Sequence, residues 1–257
     1  MKLKLITLLF LFVTVKIVAE EHPQVGKCIR IDHTFIEEET LRSKVLKELN
    51  IKEDEIESRL YSQTVLPFNK KLLVMVIPKI SYSESDAEMG IYEYDAYIIV
   101  LDKITGQIKN KFIEKRAWTS DAIALSSITI DTAIYNLNST VKGFAVRVNY
   151  SAFSKASPYS ETEFSLFIKS GDSLTRVLKN YPITLQHGGW DTDCEGEFES
   201  IECTITMDKI KSNNFNNIII NKEISKTENH KINDDCKETV SNSKETVLLK
   251  FNKMEYK

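Results

Sequence analysis

The chain is short of the residues that usually punctuate a fold. Eight glycines and five prolines in 257 residues exclude collagen-like, linker-like and proline-rich architectures. Turns must then rest on Asn, Asp and Ser, whose short polar side chains bond to nearby backbone. Four cysteines are too few for a disulfide-dense scaffold, so a hydrophobic core has to carry the stability. Basic residues do not cluster. The formal charge is −3, or near −6 without the three lysines of the first nineteen residues. That balance gives no electrostatic reason for nucleic acid or an anionic membrane, and it tolerates a basic partner. No H-E-x-x-H, nucleophile elbow, Walker sequence or C-x-x-C pair occurs.

What is present begins at the N-terminus. Met1 to Ala19 has two early lysines, an apolar run from Leu5 to Val15 and a small residue at Ala19. This is the build of a secretory signal peptide, with an uncleaved anchor as the alternative. The run is about half the roughly 20 residues a spanning helix needs. A periplasmic or secreted protein is expected, with no membrane contact after cleavage.

Export makes disulfides credible for Cys28, Cys194, Cys203 and Cys236, for which three pairings exist. Cys194 and Cys236 share polar, acidic, turn-like contexts and are expected to bond, tethering the C-terminal segment to the Trp190 loop. Cys194 with Cys203, across a hairpin, is the rival.

Leu41, Val45, Leu46 and Leu49 recur at helical spacing behind Thr34-Phe-Ile-Glu37, a candidate capping box. One helix over about 35–49 follows, stopped near Asn50, with a second short helical turn over Asp54 to Leu60. The period then changes to two. Leu72 to Ile77, closed by Pro78, reads as a buried strand. Tyr94 to Leu101 and Gln107 to Ile113 read as a hairpin reversing at Gly106. Alternation recurs through Phe144–Tyr150, Phe164–Ile168, Cys203–Met207, Ile218–Ile220 and Val247–Phe251. The expectation is mainly all-β: an antiparallel meander forming a sandwich, distorted barrel or partial propeller in one domain over 20–257. Residues 225–244 are polar and read as a long exposed loop.

The densest chemistry lies at Asp191-Thr-Asp193-Cys-Glu195-Gly196, continuing to Glu202. Asp191, Asp193, Glu195 and Glu202 occupy ligand positions of a calcium loop, and Ca²⁺ takes six to eight oxygens. The flanks read as strand or loop where an EF-hand needs helices, so a solvated acidic turn competes with Ca²⁺. No other cofactor is indicated. His187 and Trp190 beside these acids allow a base, a stacking platform and an acid, or an ordinary loop histidine and a packing anchor. Tyr92 and Tyr94 share one strand face and are candidate binding residues, whereas Tyr97 has opposite parity. Asp95, Asp102, Asp121 and Asp131 near strand ends suit turn formation better than acid–base work.

Trp190-Asp-Thr-Asp-Cys-Glu-Gly-Glu-Phe198, Phe144–Tyr150, Glu161–Phe167 and Leu249–Tyr256 give the C-terminal half a resemblance to uncharacterised exported proteins of Gram-negative bacteria. The resemblance implies a compartment and no activity. Export, acidity and absent motifs point first to a binding or inhibitor-type protein, such as an immunity-like partner of a periplasmic toxin. The oligomeric state is open. An envelope hydrolase using His187, or a Ca²⁺-stabilised structural or adhesive β protein, is the alternative.

Overall fold

The computed structural model describes residues 30–84 and 90–257, so the signal peptide expected over 1–19 and Cys28 lie outside the described residues. The chain divides into two units, Met1–Glu39 and Thr40–Lys257, of which the second is all-β apart from the end of one helix. Among the described residues no helix is long and apolar enough to cross a membrane.

Helix α1 runs Arg30–Leu49, which places Thr34 inside the helix and not at the expected cap. Its end follows expectation. Asn50 adopts φ 54°, and the Asn50 and Ile51 amides close back on the carbonyls of Lys47 (3.2 Å) and Leu46 (2.9 Å). That is a left-handed C-terminal cap with Asn in the glycine position. The expected helical turn over Asp54 to Leu60 shrinks to one 3₁₀ turn at Glu53–Glu55, because Ile56 is drawn into a bridge with Lys79.

Eleven strands follow among the described residues. β1 (Ser62–Val65), β2 (Leu72–Glu84), β3 (Ile91–Asp102) and β4 (Ile108–Ser120) form one antiparallel meander. β5 (Ala124–Asn136), β6 (Lys142–Ala152), β7 (Tyr159–Ser170) and β8 (Ser173–Trp190) form a second. β2 continues through Pro78, where the sequence suggested a stop. Its pairing with β1 ends at Val76, so the proline removes no ladder bond on that side. Gly106 turns the β3–β4 reversal at φ 71°, and Asp102 accepts from the Ile104 and Thr105 amides at 3.0 and 2.8 Å.

The meanders curl around one core and make a nearly closed barrel, the distorted-barrel option. Val74, Val76, Ile98, Val100, Phe144, Val146 and Phe167 fill it. Outside β2 and β3, the alternate residues Leu73, Met75, Ile77, Tyr97 and Ile99 pack beneath Val45 and Leu46 of α1. Both faces of these strands are buried, which explains the unbroken apolar run. Where the meanders meet, β4 and β8 share one parallel bridge, Lys111 to Ser173. Side chains complete the seam: Asn110 Nδ2 donates to the Gly171 carbonyl at 2.6 Å, and Arg176 grips Glu114 through two bonds of 2.6 and 2.8 Å.

β8 has eighteen residues, enough to pass β4 and then pair with β9 (Gly196–Ser212) from Thr184 to Trp190. β10 (Phe215–Ile232) and β11 (Asp235–Leu249) extend this wing. Residues 225–244 are therefore not a loop but the distal halves of two long strands. Asn213-Asn214 and Asn233-Asp234 all have positive φ, between 48° and 71°, the signature of two-residue hairpin turns. The roots of β10 and β11 and the segment after β11 cover the outer face of the second meander with Ile218, Ile220, Leu249, Phe251 and Tyr256.

Candidate binding surface

The distal wing gathers most of the singled-out residues. Register sets His187 opposite Glu199 and Glu199 opposite Lys226, so all three share one face. His187 Nε2 lies 3.1 Å and Lys226 Nζ 3.2 Å from the Glu199 carboxylate. These neighbours hold Glu199 below the usual carboxylate range, Lys226 contributing most. One rung outward, His230 Nδ1 sits 3.2 Å from Glu195 and its Nε2 3.6 Å from Glu228. Glu195, ahead of Glu228, raises the His230 pKa. The groove over these strands, about 680 Å³, is lined by Glu195, Glu197, Glu199 and Glu228 against Lys226, His187 and His230.

The opposite surface differs in kind. Phe198 lies across Gly188, where an added Cβ would come within 2.5 Å of the Glu197 carbonyl, and Trp190 packs across Gly196 in the same way. These glycines make room for the aromatic bodies. Ser160, Gln186, Ser200, Ser225 and Thr227 extend this side as a polar shelf with a volume of about 390 Å³, which His187 and Glu199 also line.

Trp190 is an anchor. Its indole Nε1 donates to the Lys155 carbonyl at 2.6 Å, and its amide to the Ala156 carbonyl at 3.0 Å, pinning the β6–β7 connection. Tyr92 and Tyr94 do share a face, with centroids 6.4 Å apart, but Tyr94 is 3% exposed and belongs to the barrel core. Tyr97 faces the other way, under α1.

The calcium constellation does not converge. Asp191 Oδ1 accepts from the amides of Asp193 (2.9 Å) and Cys194 (2.8 Å), so it caps its own turn. Asp193 pairs with Lys231 Nζ at 3.1 Å, and Glu195 accepts from the Lys231 amide at 2.7 Å. Glu202 lies six residues into β9, roughly 20 Å along the strand from Gly196. Letters at calcium-loop spacing fail because the second half of that loop is extended strand. Among the described residues no His/Cys/Asp/Glu group has metal-site geometry.

Nor does a catalytic trio assemble. His187 is bonded to Glu199, with no hydroxyl or thiol nucleophile bonded to the ring among the described residues, and Trp190 lies on the opposite face. Cys194 and Cys236 form the expected disulfide, Cα to Cα 5.6 Å, fastening the β10–β11 tip to the Trp190 loop; Cys203 is free. Asp95, read as a turn residue, instead holds a bulge in β4, accepting from Lys115 Nζ (2.6 Å) and the Arg116 amide (2.9 Å).

One titratable group escaped the sequence reading. Glu163 is half-buried on β7, opposite Val148 and Pro182. Burial, then the nearby Glu161 charge, pushes its pKa up to about 7, against the pull of Lys179 and Arg176. A carboxyl raised in the folded state stabilises the fold while protonated, and that advantage drains away as pH rises from about 4.5 to about 7. Replacing Glu163 by Gln should therefore gain stability relative to the parent across that window and level off above it. Urea midpoints at successive pH values measure this, and a pH-independent difference would contradict it.

Comparison with family models, with curated proteins and with solved structures found no match.

Proposed function

We propose that this is an exported, non-catalytic binding protein whose distal wing receives a basic segment of a protein partner in the cell envelope. The supporting observation is the groove across β8, β9 and β10 in which four glutamates outnumber one lysine and the two histidines His187 and His230. Such an excess steers a cationic surface toward the groove and weakens with salt. The Cys194–Cys236 bond supports the placement outside the reducing cytoplasm, in the periplasm or beyond, as the N-terminal leader implies. An inhibitor or immunity-like role toward a periplasmic toxin fits an open face that carries no assembled catalytic group.

The mature chain, used as bait in periplasmic extract, should retain one stoichiometric partner with a basic contact surface, released by salt. The triple variant Glu195→Gln, Glu199→Gln, Glu228→Gln should hold it about tenfold more weakly. A bare bait, or a partner indifferent to all three changes, would sink the proposal.

A further inference from the structure

β11 offers an unpartnered backbone edge. Its ladder with β10 runs unbroken from Asp235 to Leu249, it pairs with no other strand among the described residues, and residues 235–246 are all exposed. A two-residue turn closes on a hydrogen-bonded pair, here Ile232 with Asp235. Bonding alternates from there, so the amides and carbonyls of Cys236, Glu238, Val240, Asn242, Lys244 and Thr246 point away from β10. Natural edges of this length are usually blunted by proline, a bulge or charged side chains, lysine above all. β11 has no proline and no bulge, and its charges are matched.

The match lies in a repeated tetrapeptide, Lys237-Glu238-Thr239-Val240 and Lys244-Glu245-Thr246-Val247. We propose that β11 pairs antiparallel with β11 of a second copy of this chain, about a two-fold axis through Ser241. That register sets Lys237 opposite the partner's Glu245 and Glu238 opposite the partner's Lys244. Symmetry doubles both, so four opposite-charge pairs form and no like charges meet. A slip of one residue sets Lys237 against Lys244 in one direction and Glu238 against Glu245 in the other. A slip of two sets Asp235 against Glu245, or leaves every charge unmatched.

Paired residues share a sheet face, and each charge continues a ladder already begun within the chain. Lys222 reaches Glu245 at 3.2 Å and Lys244 reaches Glu223 at 2.6 Å. Across the junction the rows alternate in sign: Lys222, Glu245, the partner's Lys237; and Glu223, Lys244, the partner's Glu238. Opposite charges directly across a strand pair favour association, and like charges oppose it.

Sedimentation velocity of the full chain over about 1–200 μM should show a reversible monomer–dimer equilibrium. Two charge-swap variants test the register. K237E/E238K sets like charges against Glu245 and Lys244 in its own homodimer, and K244E/E245K does the same in reverse. Each alone should dissociate at least about tenfold more readily. Mixed together, the two restore all four opposite-charge pairs and should form a heterodimer. Ser241→Cys should give an interchain disulfide, since opposed non-bonded residues lie about 4.5 Å apart. Thr239→Cys, roughly 13 Å from its copy in this register, should not. A chain that stays monomeric throughout, or variants that dimerise alone as well as the parent, would overturn the proposal. Lys237, Thr239 and Ser241 stand opposite His230, Glu228 and Lys226 of the acidic groove, whereas Lys244 and Glu245 stand opposite Glu223 and Lys222 outside it, so partner capture is read independently with K244E/E245K.

Discussion

Replacing Cys194 and Cys236 by Ala should lower stability by about 2–4 kcal/mol, equivalent to roughly 5–15 °C in Tm for a chain of this size. The bond closes a sequence separation of 42 residues, so reducing it returns considerable freedom to the unfolded chain. The native side matters as well. β11 is exposed along residues 235–246 and gains little from apolar burial, so the wing tip depends on backbone pairing, ion pairs and this covalent tie. The loss should therefore be local in character. Amide exchange should rise most at Asp191–Gly196 and Asn229–Lys237, while the barrel strands β2 and β3 keep their protection. Uniform exchange, or an unchanged Tm, would contradict this reading.

The other large effect belongs to Asp131. It sits at a bulge where β5 places Asp131 opposite Ala145 and Tyr135 opposite Gly143, leaving extra residues between. Its carboxylate accepts from the Ala133 amide (2.9 Å), the Tyr135 hydroxyl (2.9 Å) and Arg147 (2.5 Å). Burial acts to raise its pKa, but the Ala133 amide, Arg147 and Tyr135 together hold it below 3.8. Asp131→Ala strands the Tyr135 hydroxyl and the half-exposed Arg147, and should cost about 2–3 kcal/mol. A carboxylate with a lowered folded pKa contributes above its unfolded value and loses that contribution as pH falls through the folded one. The gap between the parent and Asp131→Asn should accordingly be full above pH 4 and narrow toward pH 2. Denaturation midpoints across that range provide the check, and a constant gap would argue against the assignment.

These two sites mark how far the sequence could be read. Leu41, Val45, Leu46 and Leu49 pointed to the packed end of α1, and the acidic settings of Cys194 and Cys236 to their bond, because each clue is local. The distal wing was misread for a physical reason. Polarity over 225–244 implied solvent exposure, which is correct, but a strand flanked by pairing partners needs no apolar face to stay extended. Asn233-Asp234 was the available clue, a two-residue turn set between runs rich in Thr, Lys and Glu. The calcium pattern failed because spacing in the chain was read as proximity, and β9 carries Glu202 away from Asp191. Glu163 was invisible because its surroundings come from Pro182, Arg176 and Lys179 on another strand. The acidic groove was hidden likewise, since Glu195 and His230, 35 residues apart, meet only after the β9–β10 reversal.

The seam between β4 and β8 bears on how the barrel comes into being. Every other junction around the two meanders joins strands adjacent in sequence, which hairpin closure can assemble without a long search. The seam unites Asn110 with Gly171 and Glu114 with Arg176, contacts 61 and 62 residues apart, on one backbone bridge. Assembly therefore divides into two fast local events and one slow docking of preformed halves. Docking of the halves brings a guanidinium to a carboxylate as well as closing the apolar core, so the rate of closure should slow with added salt while the formation of either half does not.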